Sequence, residues 1–222
     1  MSFIRQAVKR KLYDPRVSKR QYKQRLRARA AEETRDRILD ALYDRLREAP
    51  SSPISVDEIA NRAGVARSTI YLDFGSRSGL FDALTDRLIR GAGHERIIEA
   101  VADPDPRVSL RGGLEGGVQM YAAHHDVFRV LSSMAKLDPD GVGRAIARAE
   151  GRRAGGMATL ARRLRAQKLL RPGLTATRAA HIFWIFASFD AYDLLATGRG
   201  LAPDEIIELL VEAAEHSLLA DV

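Results

Sequence analysis

Ser55-Val56-Asp57-Glu58-Ile59-Ala60-Asn61-Arg62-Ala63-Gly64-Val65-Ala66-Arg67-Ser68-Thr69-Ile70-Tyr71-Leu72 is the stretch that decides how this chain folds. Ser55 and Glu58, three residues apart, form a pair whose hydroxyl and carboxylate can satisfy orphan amides at a helix start. The apolar spacing then predicts a short helix to about Ala63. Gly64 supplies the positive φ that a tight turn needs, and a second short helix is predicted from about Ala66 to Leu72. Ala60, Gly64 and Ile70 stand where two helices crossing steeply need a small residue, a turn glycine and an apolar anchor. In that arrangement Arg67, Ser68, Thr69 and Tyr71 face outward near the start of the second helix, where side chains can reach base edges in a major groove. Ser55 and the free amides of the preceding helix would sit over a phosphate. Spacing alone also admits an ordinary helical hairpin inside a larger bundle.

Working upstream, Ile38, Leu39, Leu42, Leu46 and Ala49 recur at helical spacing, with Glu32, Arg35, Asp36, Asp40, Arg45 and Arg47 on the other face. This predicts an amphipathic helix over about 31–48, ended by the prolines at 50 and 53, which withhold backbone donors. Residues 1–31 hold eleven of the 36 basic residues and one of the 29 acidic ones, a net +10, while the rest of the chain has 25 basic against 28 acidic. The formal charge of +7 is therefore a property of the N-terminus. Such a cationic arm suits a polyanion, because each Lys or Arg that neutralises a phosphate releases counterions. A solvated tail has the same composition.

Downstream, a helix over about 76–90 carries Leu80, Phe81, Leu84 and Leu88 on one side and closes at Gly91 and Gly93. The Asp103-Pro104-Asp105-Pro106 loop precedes helical runs at about 107–136, 138–168, 175–196 and 203–219. The expectation is an all-α fold of about nine helices without a sheet. Its parts are a basic arm over 1–30, a three-helix unit over 31–75 with its motif at about 55–74, and a helical bundle over 76–222. The chain has no cysteine, which excludes disulfides, thiolate metal sites and cysteine catalysis. No run of about 18 apolar residues suggests a membrane span, and no apolar segment at the N-terminus suggests a signal peptide, so a cytoplasmic location is expected. No Ser-His-Asp ordering, metal signature or nucleotide fingerprint points to an enzyme, and no cofactor is expected. His124 and His125 are adjacent, point in different directions on a helix and lack a second ligand pair, so no metal site is expected there. Gly112-Gly113-Leu114-Glu115-Gly116-Gly117 has no preceding strand and no following Lys-Ser/Thr, which favours close helix packing or a weakened helix over a phosphate loop.

Extended through Asp73-Phe74-Gly75-Ser76-Arg77, the opening stretch closely resembles the DNA-binding signature of the TetR family: Ile-Ala-x-x-Ala-Gly-Val, then Thr-Ile-Tyr, then Phe74 before Gly75-Ser76-Arg77. With the first helix, the resemblance covers about residues 31–90, and beyond that only a pattern of helices. It implies a bacterial transcriptional regulator, a homodimer on a palindromic operator, acting as a repressor released by a small-molecule effector. It assigns Tyr71 and Arg77 to phosphate and Arg67, Ser68 and Thr69 to the groove. Beside such a motif, the arm is read as a second DNA element, with Arg25, Arg27 and Arg29 nearest the first helix. Non-specific binding to nucleic acid or an anionic surface through the arm is the alternative. Three departures stand out: Ala66 where a hydroxyl residue commonly caps the recognition helix, Leu72-Asp73 before Phe74, and Ser78-Gly79 where an acidic residue is usual.

Five of the fourteen aromatic residues fall between Phe183 and Tyr192, so that helix is apolar nearly all round and buried on more than one side. The resemblance places a four-helix dimer interface on the last two helices, involving Phe189, Ile206, Ile207, Leu210, Ala214 and Leu218. The other face would border an effector cavity, with Phe183, Trp184 and Phe186 joined by Tyr121, Phe128, Met134 and Met157 as candidates. Such an aromatic stripe is also what a plain core requires. Asp190 and Asp193 lie among these rings and would need partners if buried, and His181 is read as a core or interface histidine.

Overall fold

One long helix opens the fold. The computed structural model describes residues 19–50 and 52–220, with side chains from Gln21 onward, and α1 runs over Lys19–Glu48. Its start lies well before the expected position near Ala31, because Lys, Arg, Gln and Ala are good helix formers and no proline or glycine interrupts the run. Arg25, Arg27 and Arg29 are therefore on a continuous helix, not on an arm. The arm before Lys19 lies outside the described residues.

The second half of α1 buries Ile38, Leu39, Leu42 and Leu46. Arg45, expected on the polar face, is buried at 4% exposure. It pairs with Glu58 and donates to the carbonyls of Ala49 (2.7 Å) and Pro53 (3.1 Å). One side chain thus ties the end of α1 to the following loop and to α2 (Val56–Ala63). Gly64 closes α2 at φ 66° and ψ 38°, and the Val65 amide reaches back to the Ala60 carbonyl at 3.0 Å, the 6→1 bond of a Schellman turn. Next come α3 (Arg67–Phe74) and α4 (Arg77–Ile89), whose Leu80, Phe81, Leu84 and Leu88 are buried as their spacing predicts.

The body comprises α5 (His94–Ala102), α6 (Pro106–Ala123), α7 (His125–Leu137), a π-helical turn (Pro139–Gly143), α8 (Arg144–Ala166), α9 (Ala176–Phe186), α10 (Phe189–Arg199) and α11 (Pro203–Leu218). Two predicted helices are each divided. The run over 107–136 breaks at His124, whose Nδ1 lies 3.1 Å from the Tyr43 hydroxyl on α1, a tertiary contact with no local signal. The run over 175–196 breaks at Ala187, where Ser188 caps α10 by accepting from the Ala191 amide at 3.0 Å. Helix α5 was not anticipated. It packs on α6 across Gly112 and Gly116, four residues apart on one face; a Cβ at Gly112 would run into that of Ala100, and one at Gly116 into the Gly93 carbonyl. Close packing is therefore what these two glycines provide.

One apolar core runs from Ile38 and Ile70 through Phe81 and Leu84 to Tyr121, Phe128 and Tyr192, so α4 belongs to both the head and the body. A second, around Leu114, Leu164, Phe183 and Leu218, joins α6, α8, α9 and α11. Among the described residues there is no strand, only an isolated antiparallel bridge between Leu170 and Leu219. None of the described helices is long and apolar enough to cross a membrane.

Candidate nucleic-acid interface

Ser55 is exposed at the start of α2 and accepts from the Glu58 amide at 3.1 Å, which satisfies one orphan donor. Ile59 and Ile70 have no exposed surface and Ala60 almost none, so α2 and α3 cross over these side chains. The opposite side of α3 is open. Arg67, Ser68, Tyr71 and Leu72 are exposed and Thr69 is half-buried. Arg67 donates to Asp57 at 2.8 Å and to the Tyr71 hydroxyl at 3.3 Å, and its guanidinium lies over the Tyr71 ring. Tyr71, and then Asp57, hold this guanidinium further up in pKa. Ala66 occupies the N-cap of α3 with no side-chain bond, leaving amides of the first turn for another acceptor. Leu72, given no contact role from the sequence, is 85% exposed one turn beyond Ser68. Its signal was present in the spacing, since position 72 falls on the side of α3 opposite Ile70 and Phe74.

Arg77 behaves differently from the expectation of a free phosphate contact. It pairs with Asp138 at the start of the π-helical turn and lies over the Phe81 ring at 5.1 Å. Gly141 leaves the space, because a Cβ there would strike the Arg77 guanidinium. Burial alone would raise the Asp138 carboxyl, but Arg77 and the Gly141 and Val142 amides outweigh it and hold the group below 3.8. Arg77 is thus turned toward the body. The glycine at 79 also finds its reason: Ser76 caps α4 by accepting from the Gly79 amide at 3.0 Å, and a Cβ at 79 would run into the Phe74 carbonyl. Further along α4, Asp82 pairs with Arg148, Asp86 pairs with Arg152, and Ser78 accepts from Arg148 at 2.8 Å. This ionic ladder fastens α4 to α8 and had no counterpart in the sequence reading.

Arg25, Arg27 and Arg29 lie on the exposed first part of α1. Arg29 pairs with Glu33 at 2.9 Å. Where α1 meets the head, Arg35 donates to the Asp73 carbonyl at 2.9 Å and stacks on Phe74 at 4.3 Å. The basic part of α1 is therefore rooted beside the C-terminal end of α3. Residues 21–33 extend it by roughly 20 Å at 1.5 Å per residue.

The seven residues expected around one effector cavity are distributed. Tyr121 and Phe128 sit edge to face in the first core beside Phe189 and Tyr192, with the Tyr121 hydroxyl donating to the Ala187 carbonyl at 3.2 Å. Burial pushes the Tyr121 phenol up to about 12. Met134 is half-buried against that core, Met157 and Phe183 belong to the second, and Phe186 touches both. Trp184 is on the surface, its indole donating to Glu150 at 3.0 Å under the Arg153 guanidinium. Asp193 meets His125 at 2.6 Å and Thr197 at 2.8 Å, whereas Asp190 is exposed.

Of the expected dimer residues, Ile206, Leu210, Ala214 and Leu218 have between 0% and 5% exposure within this one chain, packed in its own cores. Phe189 and Ile207 are half-buried. The apolar side chains that α9, α10 and α11 do offer outward are Trp184, Ile185, Leu194 and Leu209. His181 is exposed on α9 one turn before Ile185, not in the core.

An all-helical chain whose α2 and α3 cross at a glycine turn, with α3 held out from the body, is a helix-turn-helix protein. Residues 38–84 match the family model described as bacterial regulatory proteins, tetR family. The HTH-type transcriptional regulator EthR of Mycolicibacterium smegmatis is 30% identical over 116 residues, 51% of this chain and 53% of EthR. AlkX of Mycobacterium tuberculosis, also an HTH-type transcriptional regulator, is 44% identical over 59 residues, 25% of this chain and 28% of AlkX. The crystal structure of NalD, the secondary repressor of the MexAB-OprM multidrug efflux pump in Pseudomonas aeruginosa, shares the fold with a TM-score of 0.68 at 24% identity, covering 87% of this chain and 100% of NalD. Over residues 38–84 the chain is similar to the tetR family. Its match spans about half the length of EthR and about a quarter of AlkX.

Proposed function

We propose that this chain is a transcriptional regulator that binds operator DNA as a homodimer and is released by a small effector. The observation that carries this reading is the outer side of α3, where Arg67, Ser68, Tyr71 and Leu72 are uncovered by the rest of the chain. Arg67, Ser68, Thr69 and Tyr71 enter the major groove. Leu72 supplies an apolar surface of the kind that meets a thymine methyl. Ser55 and the start of α2 approach a phosphate. Arg25, Arg27 and Arg29 follow the backbone as a stiff basic helix, adding affinity without specifying sequence. Ile185, Leu194 and Leu209 are the apolar patch that pairs two copies and sets two α3 helices about 34 Å apart on a palindrome. A regulator bound there blocks access to the DNA, so the sense of control is repression. An effector that favours a different spacing of the two heads lowers operator affinity by population shift. The named relatives are transcriptional regulators, and the chain is assigned no catalytic role.

The deciding experiment is a competition titration at fixed salt between duplexes selected from a random pool by this protein and scrambled versions of them. Specific binding predicts preference for the selected sequence by a factor of at least about 10³. Tyr71→Ala removes that preference and leaves a folded dimer by sedimentation. Equal binding of scrambled DNA would reduce the protein to a non-specific polyanion binder.

A further inference from the structure

A cleft of about 640 Å³ opens in the seam between head and body, walled by α1, by the end of α4 and by the corner between α6 and α7. Three arginines line it, Arg35, Arg87 and Arg90, together with His124 and Tyr43; the one acidic residue in its lining is Asp36. The half-buried Tyr43 ring is the main apolar wall, over the nearly buried Leu39 and Leu88. The three cations are not equally committed. Arg87 pairs with Asp40 and donates to the Asp36 carbonyl at 3.5 Å. Arg35 gives one N–H to the Asp73 carbonyl and its face to Phe74, with no carboxylate partner among the described residues. Arg90 is exposed at the end of α4, with no ion-pair partner among the described residues. Counting Asp36 and Asp40 against the three arginines leaves one surplus positive charge in a partly apolar concavity. His124 adds none at neutral pH, because burial and then Arg87 hold its imidazole below 6.5.

We propose that this seam is a binding site for a small organic monocarboxylate, with the carboxylate on Arg90 and Arg35 and the apolar body against the half-buried Tyr43 ring. The planar guanidinium fork matches a carboxylate in two parallel hydrogen bonds. The surplus of one charge selects a monoanion, and the apolar wall selects an organic one over a bare inorganic ion. The volume lies within the range of small-molecule sites. Gly91 leaves room for His124, since a Cβ there would stand 3.2 Å from Nε2, and the Tyr43 hydroxyl lies 3.1 Å from the ring's Nδ1. Arg35 also anchors α1 to the last turn of α3. A ligand that recruits it draws on the contact behind the reading face, and this link to operator affinity rests on the function proposed above.

The test is calorimetric titration of the full chain with sodium benzoate and sodium octanoate at fixed ionic strength, with benzamide and inorganic phosphate as comparison arms. Saturable binding of at least one carboxylate, none of benzamide and weaker binding of phosphate are expected. Arg90→Ala weakens the carboxylate about tenfold, the loss of one charge-assisted contact. It leaves the unfolding midpoint unchanged, because Arg90 is exposed and unpaired. Arg178→Ala, an exposed arginine on α9, leaves binding unchanged. The proposal is overturned if neither carboxylate binds, if phosphate binds as tightly, or if both Arg90→Ala and Arg35→Met leave the affinity intact. None of these readouts involves DNA, so the seam site and the DNA-reading assignment stand or fall separately.

Discussion

Arg77 occupies the position that the family signature gives to phosphate, yet its guanidinium pairs with Asp138 of the body, and the two roles predict different numbers. If Arg77 is a latch between head and body, Arg77→Gln breaks an ion pair whose side chains are 31% and 32% exposed. Breaking a fully buried pair costs about 3–5 kcal/mol and losing a surface pair about 0–1 kcal/mol. A pair exposed by about a third falls between them, near 2 kcal/mol. With a urea dependence of about 2 kcal/mol per molar, the unfolding midpoint should fall by about 1 M, measured at one protomer concentration because a dimer's stability depends on it. Asp138→Asn should cost less, since its remaining oxygen can still accept from the Gly141 or Val142 amide, and the double variant should be less destabilised than the two single losses summed. If Arg77 instead neutralised a phosphate in each half-site, Arg77→Gln would lower the slope of log affinity against log salt by about 1.8 per dimer, at about 0.9 per phosphate. The latch predicts an unchanged slope with a lowered midpoint. A slope reduced by nearly two with an unchanged midpoint would refute the latch.

Three further outcomes are expected. Arg45→Ala should cost about 3 kcal/mol in urea unfolding, because it removes the buried guanidinium that ties Glu58 to the Ala49 and Pro53 carbonyls, whereas Arg62→Ala, whose pairs with Glu48 and Glu58 are more exposed, should cost less than about 1 kcal/mol. Ala66→Ser should raise stability by about 1 kcal/mol, by giving α3 the side-chain cap it lacks; an unchanged melting temperature would mean that the first-turn amides are already satisfied. His124 has its pKa lowered by burial and then by Arg87, so the unfolded chain binds its proton more readily. The stability associated with the neutral imidazole is complete above pH 6.5 and is lost as the pH falls below it. Unfolding midpoints of the wild type and of His124→Gln should therefore run parallel above pH 6.5 and converge or cross below it, a window clear of Asp138 and Asp193, whose carboxyls are held below 3.8.

The helix-turn-helix was legible because all of its determinants are local. A capping serine, a small crossing residue, a turn glycine and an apolar anchor fall within sixteen residues, and each acts through its own backbone angle or the neighbouring helix. The same locality made the outward side of α3 readable, including the uncapped Ala66. The body was legible only as a series of helices. Ser188 is a capping residue in the middle of an apolar run, and hydrophobicity masked it; His124, where the other long run breaks, meets a hydroxyl contributed by α1, a contact that no local pattern carries.

The sequence by itself determined the all-helical build, the motif with its exposed residues, and the concentration of positive charge at the N-terminus, since propensity, turn chemistry and charge are properties of neighbours along the chain. Tertiary structure alone decided that Arg45 is buried, that Arg77 turns to Asp138, that Asp82 and Asp86 meet α8, and that one stripe of α11 faces inward while Leu209 faces out. Those outcomes depend on which groups converge from distant parts of the chain, and an arginine or a leucine carries no local mark of the partner that will reach it.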